Sequence, residues 1–392
     1  MRVLIIGGGL AGPCLAHGLR HAGIDVALFE GDPGPASRRQ GYRIHIAPEG
    51  TQALRACLPP ELYELGMATS GTPGSSVTVL SGQLDVLHRV TFDTQQGEDE
   101  GYAGISVDRL ALRQILLVGL EDHVQFGAPY THFETGHSGA VRACFADGMT
   151  ADGDLLVGAD GASSRVRAQL LPQATVVDTG QLAIFGKTML TDEVRRLTPP
   201  PALDGFSTIV GSDGRFLPLA GLEFRSDPAA EATRRWPSLT FADTRDYVMW
   251  VLGAPAAAYG TAASELAQMD GGSLTDLAAN LIADWHADIG EVVRRADPAT
   301  VASTRLRTAE PLQQWETGPV TLVGDAIHCM VPAGIGAAVA LRDAALLARR
   351  LAEAAQGMRQ LVDATCAYET EMLEYGFAAV QAALQVQRQM AP

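Results

Sequence analysis

The sequence predicts an α/β protein: a Rossmann-like parallel sheet carrying an inserted antiparallel sheet, followed by C-terminal helices. Three observations carry this reading. Val3-Leu4-Ile5-Ile6 runs straight into Gly7-Gly8-Gly9 and a helical pattern over 10–22, and residues 25–30 (DVALFE) resume as a strand, which makes a βαβ unit. Strand patterns then dominate 182–254 (LAIFGKTML, STIVG, RDYVMWVLGAP), separated by turn-rich insertions. A second strand, glycine turn and alanine-rich helix follow at 322–344, LVGDAIHCMVPAGIGAAVALRDA.

The elements between these landmarks fit the same plan. DRLALRQILLVGL over 108–120 spaces its apolar residues as an amphipathic helix, and DLLVG over 154–158 is a short strand ending at Asp160-Gly161. Residues 337–355 read as a helix, and 361–388 carry two further helical patterns. The stretch at about 92–101 reads as an exposed acidic loop. Parallel-type elements bracket the sheet-rich middle. This places a discontinuous binding domain at 1–75, 101–180 and 301–360, a substrate domain at 76–100 and 181–300, and a helical segment at 361–392.

Composition limits the functions this fold can serve. The 392 residues are 47% hydrophobic and 19% charged, enough to bury a large core. Lys plus Arg number 29 against 45 Asp plus Glu, a formal charge of −16, so nucleic acid and anionic membrane surfaces are poor partners. The five cysteines (14, 57, 144, 329, 366) show no CxxC or His/Cys spacing, which points to reduced thiols and no metal site. The N-terminal apolar run, broken by five glycines and His17, falls short of a membrane span, and cleaving it as a signal peptide removes a strand the fold needs. The expectation is a cytoplasmic protein, a monomer or homodimer.

Gly7-x-Gly9-x-x-Gly12 follows a strand and opens a helix, with Leu10 and Ala11 inside the turn. The first glycine permits the tight turn, the second lets a pyrophosphate approach the backbone, and the third lets helix pack on strand. Phosphate then sits where free N–H groups and the helix dipole favour anions. Glu30 ends the second strand about 20 residues on, where its carboxylate can accept the hydroxyls of a ribose. This half is common to NAD and FAD. The second turn separates them: if Asp325 ends a strand of the same sheet, its carboxylate faces the groove where a polyhydroxylated chain lies. The helix starting near 334–337 aims its positive end at a ring that becomes anionic on reduction. The cofactor expected is FAD, in a Rossmann-like FAD-binding domain.

GGGLAG with Glu30, GADGASSRVR at 158–167 and LVGDAIHCMVP at 322–332 resemble the three fingerprints of the group A flavoprotein monooxygenases, the p-hydroxybenzoate hydroxylase-like aromatic hydroxylases. GYRIHIAPEGTQAL, SVDRLALRQILL and LRDAALLARRL are further similar to actinobacterial monooxygenases of natural-product tailoring. The resemblance implies that Asp325 binds the ribityl chain, that Pro332 sits at the reactive flavin edge, and that Gly334, Ile335 and Gly336 line the ring. It also implies that Arg109 contacts the phosphate or ribityl region, that Asp160 and Gly161 serve FAD and NAD(P)H, and that Arg39 reaches the cofactor phosphates. The implied reaction uses NAD(P)H as a transient co-substrate and O2. Its oxidant is a flavin C4a-hydroperoxide, which hydroxylates an aromatic or polyketide-like small molecule. A non-redox FAD-binding cyclase or isomerase, or a flavin dehydrogenase, are the alternatives.

One departure from the family pattern bears on those alternatives. Family members usually carry a longer glycine loop with an asparagine two residues after its last glycine; here PAGIGAA is about one residue shorter and has Ala338 at that place. Tyr42 and His45 are candidates for a base that deprotonates a phenol. His328 reads as packing under the loop, and Cys329 as a small buried hydrophobe. Met249, Trp250, Phe185 and Met189 alternate on strands and are candidates for the floor of a substrate pocket.

Overall fold

A computed structural model describes residues 1–37, 42–72, 74–91, 104–136 and 139–390, the side chains of 389 and 390 excepted. The acidic stretch at 92–101 lies outside the described residues, as does Arg39. Arg2–Ile6 is the hub of a five-stranded parallel sheet ordered Val320–Leu322, Leu155–Gly158, Arg2–Ile6, Asp25–Phe29, Val124–Gln125. Val3, Leu4 and Ile5 have no exposed surface, as expected of an apolar run covered by helices on both faces. The helix Ala11–His21 packs against the long helix Gly336–Ala355, joining the two glycine turns on one side of the sheet. Asp108 caps the helix Arg109–Leu117, its Oδ1 accepting the N–H groups of Leu110 and Ala111 at 2.9 Å each.

The inserted sheet has seven strands, ordered Ala302–Ala309, Val176–Met189, Tyr247–Pro255, Phe216–Leu222, Gly205–Val210, Ser76–Ser81, Val86–Thr91. Its pairs are antiparallel except that Gly205–Val210 runs parallel to Ser76–Ser81. The sheet reaches past 181–300 at both ends, because Val176–Met189 enters it from the parallel domain and Ala302–Ala309 returns beside it. Its back face packs Trp250, Leu252, Leu217 and Leu219 on the helices Gly271–Leu281 and Ala287–Arg294. Its front face is left to the groove described below. Two smaller sheets complete the fold: Tyr130–Thr135, Val141–Phe145 and Thr150–Gly153 in one, and Arg43–Ile46 paired with Ile105–Asp108 in the other.

Two expectations change. The C-terminal region is one helix, Leu361–Met390, not two, since no glycine turn or proline interrupts it. Asp325 does not end a strand: the strand stops at Leu322, and Asp325 opens the short helix Asp325–His328 after Gly324 turns at φ +62°. All five cysteines are free thiols, four of them buried. Among the described residues, no helix is long and apolar enough to cross a membrane.

Candidate active site

The N-terminal turn shows why each glycine stands where it does. Gly7 has φ +117°, and a Cβ there would meet the Ala159 carbonyl oxygen at 2.2 Å. A Cβ on Gly12 would lie 2.0 Å from the Gly7 oxygen, so the helix could not close on the turn. On Gly9 a Cβ meets nothing within 4 Å and would project into open space, the cradle that a pyrophosphate needs. Glu30 holds this turn from beneath: its Oε2 accepts from the Gly8 N–H at 2.7 Å and its Oε1 from the Asp32 N–H at 3.0 Å. Arg113 completes the clamp, donating to the Gly8 oxygen at 2.6 Å, the Pro35 oxygen at 2.7 Å and Glu30 at 3.3 Å. Sequence reasoning missed Arg113, because an arginine within an amphipathic helix reads as a solvated charge; its i+4 spacing from Arg109 was the available signal.

The second turn is held in a similar way. The Gly324 N–H donates to Asp343 Oδ2 at 2.7 Å, Tyr375 donates to Asp343 Oδ1 at 2.5 Å, and His328 Nδ1 lies 3.3 Å from Oδ2. His328 also packs edge-on against Phe377, ring centroids 5.1 Å apart, so its packing role under the turn is met. Asp325 stands open to the groove between close walls. Burial pushes its carboxyl above the usual range, and the Arg109 guanidinium works the other way. The helix Gly336–Ala355 starts after Gly334 (φ +77°), with no side-chain cap. Its first N–H groups and its dipole are therefore available to an electron-rich partner in the groove.

One groove of about 1560 Å³ joins the two turns. Gly7, Gly9, Leu10, Ala11, Glu30, Arg109, Asp160, Gly161, Asp325, Pro332, Gly334, Ile335 and Gly336 all line it; Gly12 lies behind the turn. Asp160 faces the groove while its carboxylate caps a helix, accepting from Ser164 Oγ at 2.5 Å and from the N–H groups of Arg165 and Val166 at 2.8 and 3.2 Å. Arg167 donates to the carbonyls of Ala326 and Ala162. Cys329 is 5% exposed, and burial pushes its thiol up to about 11. Ala338 packs closely on the helix Pro48–Cys57: a Cβ on Gly50 would sit 3.1 Å from the Ala338 Cβ, so a larger side chain at 338 would crowd that helix.

Opposite the glycine turns, the groove is walled by the front of the seven-stranded sheet: Val77, Val79, Phe206, Val210, Pro218, Met249 and Val251. Trp250 is not part of this floor. Strand alternation turns it to the back face, against Gly186 and the helices behind. Phe185 and Met189 are not among the groove-lining residues either: Phe185 packs tilted against Tyr42, ring centroids 5.1 Å apart, and Met189 packs with Met249. Burial pushes the Tyr42 phenol above its usual range and the His45 imidazole below its own, the latter helped by the Arg43 charge. At neutral pH His45 is therefore neutral and able to accept a proton at the groove, whereas Tyr42 stays a protonated phenol. Away from the groove, His132, Glu134 and Cys144 bring ligand-capable atoms within 4.8 Å of one another, a proximity created by strand pairing that sequence spacing does not reveal.

Comparison with known proteins gives this geometry a family. Residues 266–383 match the family model of an FAD binding domain. The FAD-dependent monooxygenase cctM of Talaromyces islandicus is 30% identical over 97% of this chain and 90% of its own length. A crystal structure from Photorhabdus luminescens, of a protein assigned as an FAD-containing monooxygenase, superposes with a TM-score of 0.84 at 30% identity, covering 100% of this chain and 98% of that one. The chain is also 33% identical to the dual O-methyltransferase/FAD-dependent monooxygenase CTB3 of Cercospora beticola, of which it spans 44%. With the doubly glycine-turned groove and these relatives together, the chain belongs to the FAD-dependent monooxygenases.

Proposed function

We propose that this enzyme uses NAD(P)H and O2 to oxygenate a flat aromatic or polyketide-like small molecule, held between the FAD and the seven-stranded sheet. The observation that carries the proposal is the continuity of the groove. Its volume of about 1560 Å³ exceeds the roughly 300–1,000 Å³ of a single-ligand pocket, and one side is polar and glycine-rich while the other is an apolar sheet face. The residues fit FAD: the open cradle at Gly9, the uncapped helix start at Gly336 and the accessible Asp325 carboxylate all line the same groove.

In this reading Gly7–Gly12 receives the pyrophosphate, Glu30 the ribose, Arg109 and Asp325 the ribityl region, and Pro332–Gly336 the ring, with Asp160 and Gly161 at the groove wall. Bound there, FAD would supply the redox chemistry, with NAD(P)H as the reductant and O2 giving one oxygen atom to the substrate and the other to water. The protein's own part is placement and exclusion of water: Met249, Val251, Phe206 and Pro218 cover the reacting face, and His45 takes the proton of an acidic substrate hydroxyl. No nucleophile or metal is required of the chain. The test is a panel of hydroxynaphthalenes and hydroxyquinolones, with NADH and NADPH, followed by oxygen uptake and product mass. Substrate-stimulated uptake with a product heavier by one oxygen supports the proposal. A product of unchanged mass replaces it with a cyclase or isomerase, and NAD(P)H-linked turnover without oxygen uptake replaces it with a dehydrogenase.

A further inference from the structure

We propose that Arg43 forms an anion-binding subsite in the substrate half of the groove, which selects flat apolar molecules bearing a negatively charged oxygen on one edge. The inference rests on reading the sheet side of the groove as the substrate pocket. Arg43 begins the strand Arg43–Ile46 and is only 7% exposed, yet it lines the groove. Among the described residues its guanidinium makes no hydrogen bond or ion pair, and its Nε is buried without a partner. Its charge is held over the Phe206 ring, 6.0 Å from the centroid, which orients the plane without neutralising it.

The strand register offers an obvious partner that does not take the role. Asp108 lies directly opposite Arg43 in the two-stranded sheet. Its Oδ2 instead accepts from Lys187 Nζ at 2.6 Å and from the Tyr247 hydroxyl at 2.9 Å, while its Oδ1 caps the helix Arg109–Leu117. Asp108 is thus occupied by three other elements, and Arg43 is left as a buried cation facing an apolar wall. Natural proteins pair such a charge or coordinate it, because burying it alone is costly. No acidic group among the described residues pairs with it, and Val77, Val79, Phe206, Pro218 and Met249 on the facing groove wall offer none, which leaves the counter-charge to a ligand. Burial lowers the guanidinium to about 10, which leaves it charged at neutral pH. A planar fork of donors suits a carboxylate, a phenolate or the enolate of a 1,3-dicarbonyl, whose oxygens it engages in pairs.

An anionic oxygen could also come from the bound FAD, and the experiment separates the two sources. The FAD-loaded enzyme and its Arg43→Gln and Arg43→Lys variants are titrated calorimetrically with 2-naphthoate and with 2-naphthamide, which match in shape and differ in charge. The wild-type enzyme should bind the carboxylate at least tenfold tighter than the amide. Arg43→Gln should abolish that preference with FAD content and naphthamide affinity unchanged, and Arg43→Lys should retain only part of it. Equal affinities in the wild type, or a preference that survives in Arg43→Gln, would overturn the proposal. Loss of FAD from Arg43→Gln would also overturn it, by assigning the guanidinium to the cofactor. If Arg43→Gln does not fold, Arg43→Lys decides: its point charge cannot reproduce the fork, so an undiminished preference refutes the subsite. Binding needs no turnover, so a failure of the oxygenation reading leaves this result interpretable.

Discussion

The two walls of the groove are built on opposite rules. On the glycine-turn side, the buried carboxylates are engaged within the chain: Glu30 and Arg113 clamp Gly8, and Asp343 holds Gly324 while receiving Tyr375. Their chemistry is directed first at shaping backbone, and what they leave for a ligand is N–H groups, open space and the remaining acceptor capacity of Glu30. On the sheet side the wall is apolar, and its buried charge, Arg43, has no hydrogen-bond or ion-pair partner among the described residues. A site for an invariant cofactor can be specified by a rigid backbone, whereas selection among small molecules needs a charge that only the right ligand completes.

The largest effect should come from breaking the clamp. Glu30→Ala removes the carboxylate between Gly8 and Arg113, both essentially inaccessible, leaving Asp32 as an acidic neighbour of the Arg113 charge at 3.5 Å. Removing one partner of a buried pair costs about 3–5 kcal/mol, and the remaining contacts place this case near 3. Urea unfolding of the FAD-free variant measures it. A variant as stable as the wild type would show that Glu30 serves only the ligand and that the two walls do not differ in kind.

Gly9→Ala should separate cradle from scaffold. Its Cβ enters open space, so the FAD-free protein should unfold at the same urea concentration, while FAD binds about a hundredfold more weakly, ~2.8 kcal/mol. Fluorescence quenching of FAD on titration reads this directly, and undiminished affinity would move the pyrophosphate elsewhere.

How much of this was legible in the sequence follows the same division. The glycine side was readable because its function depends on residues that have no substitute: Gly7 at φ +117° and Gly12 at 2.0 Å from a carbonyl admit nothing larger, so the motif survives as letters at fixed spacing. The sheet side was not, because alternating apolar strands read alike whether they face a core or a cavity. Met249 and Trp250 are neighbours in sequence, yet only pairing with Phe185–Lys187 settles which of them meets the groove. Arg43 was invisible for a different reason: its significance is a missing partner, and Asp108, which should have been that partner, is diverted by Lys187 from a strand almost 80 residues further on. The single helix Leu361–Met390 was divided in the sequence reading because its polar positions interrupt the apolar pattern without ending it.

Ala338→Asn tests where the two walls meet. The family-like asparagine would press on Gly50, whose hypothetical Cβ is already 2.9 Å from the Ala338 Cα, and its amide would be buried. Overpacking of this kind costs about 1–3 kcal/mol. Thermal unfolding should show the loss, and crystallography should show the Gly334–Gly336 turn displaced. An unchanged melting temperature with more product per NAD(P)H consumed would mean that the short loop, and not packing against the helix Pro48–Cys57, set this position.

The smallest effect, and the one that ties both walls together, concerns His45. Burial and the Arg43 charge hold its imidazole below the ordinary value of 6.5, so it is neutral and able to accept a proton throughout the physiological range. If it is the base for an acidic substrate hydroxyl, turnover should fall as pH drops through that lowered value, because protonation removes the acceptor. His45→Gln should then reduce kcat about tenfold at pH 7.5, ~1.4 kcal/mol, while erasing the acidic limb of the profile. The sharper experiment uses the neighbour. Arg43→Gln withdraws a positive charge that disfavours His45 protonation, so the acidic limb should move to higher pH with the histidine intact, whatever happens to substrate affinity. A limb that stays in place in Arg43→Gln but vanishes in His45→Gln would leave His45 as the base and attribute its depressed value to burial alone. A limb unmoved in both variants would remove His45 from the chemistry and assign the titration to the substrate hydroxyl itself.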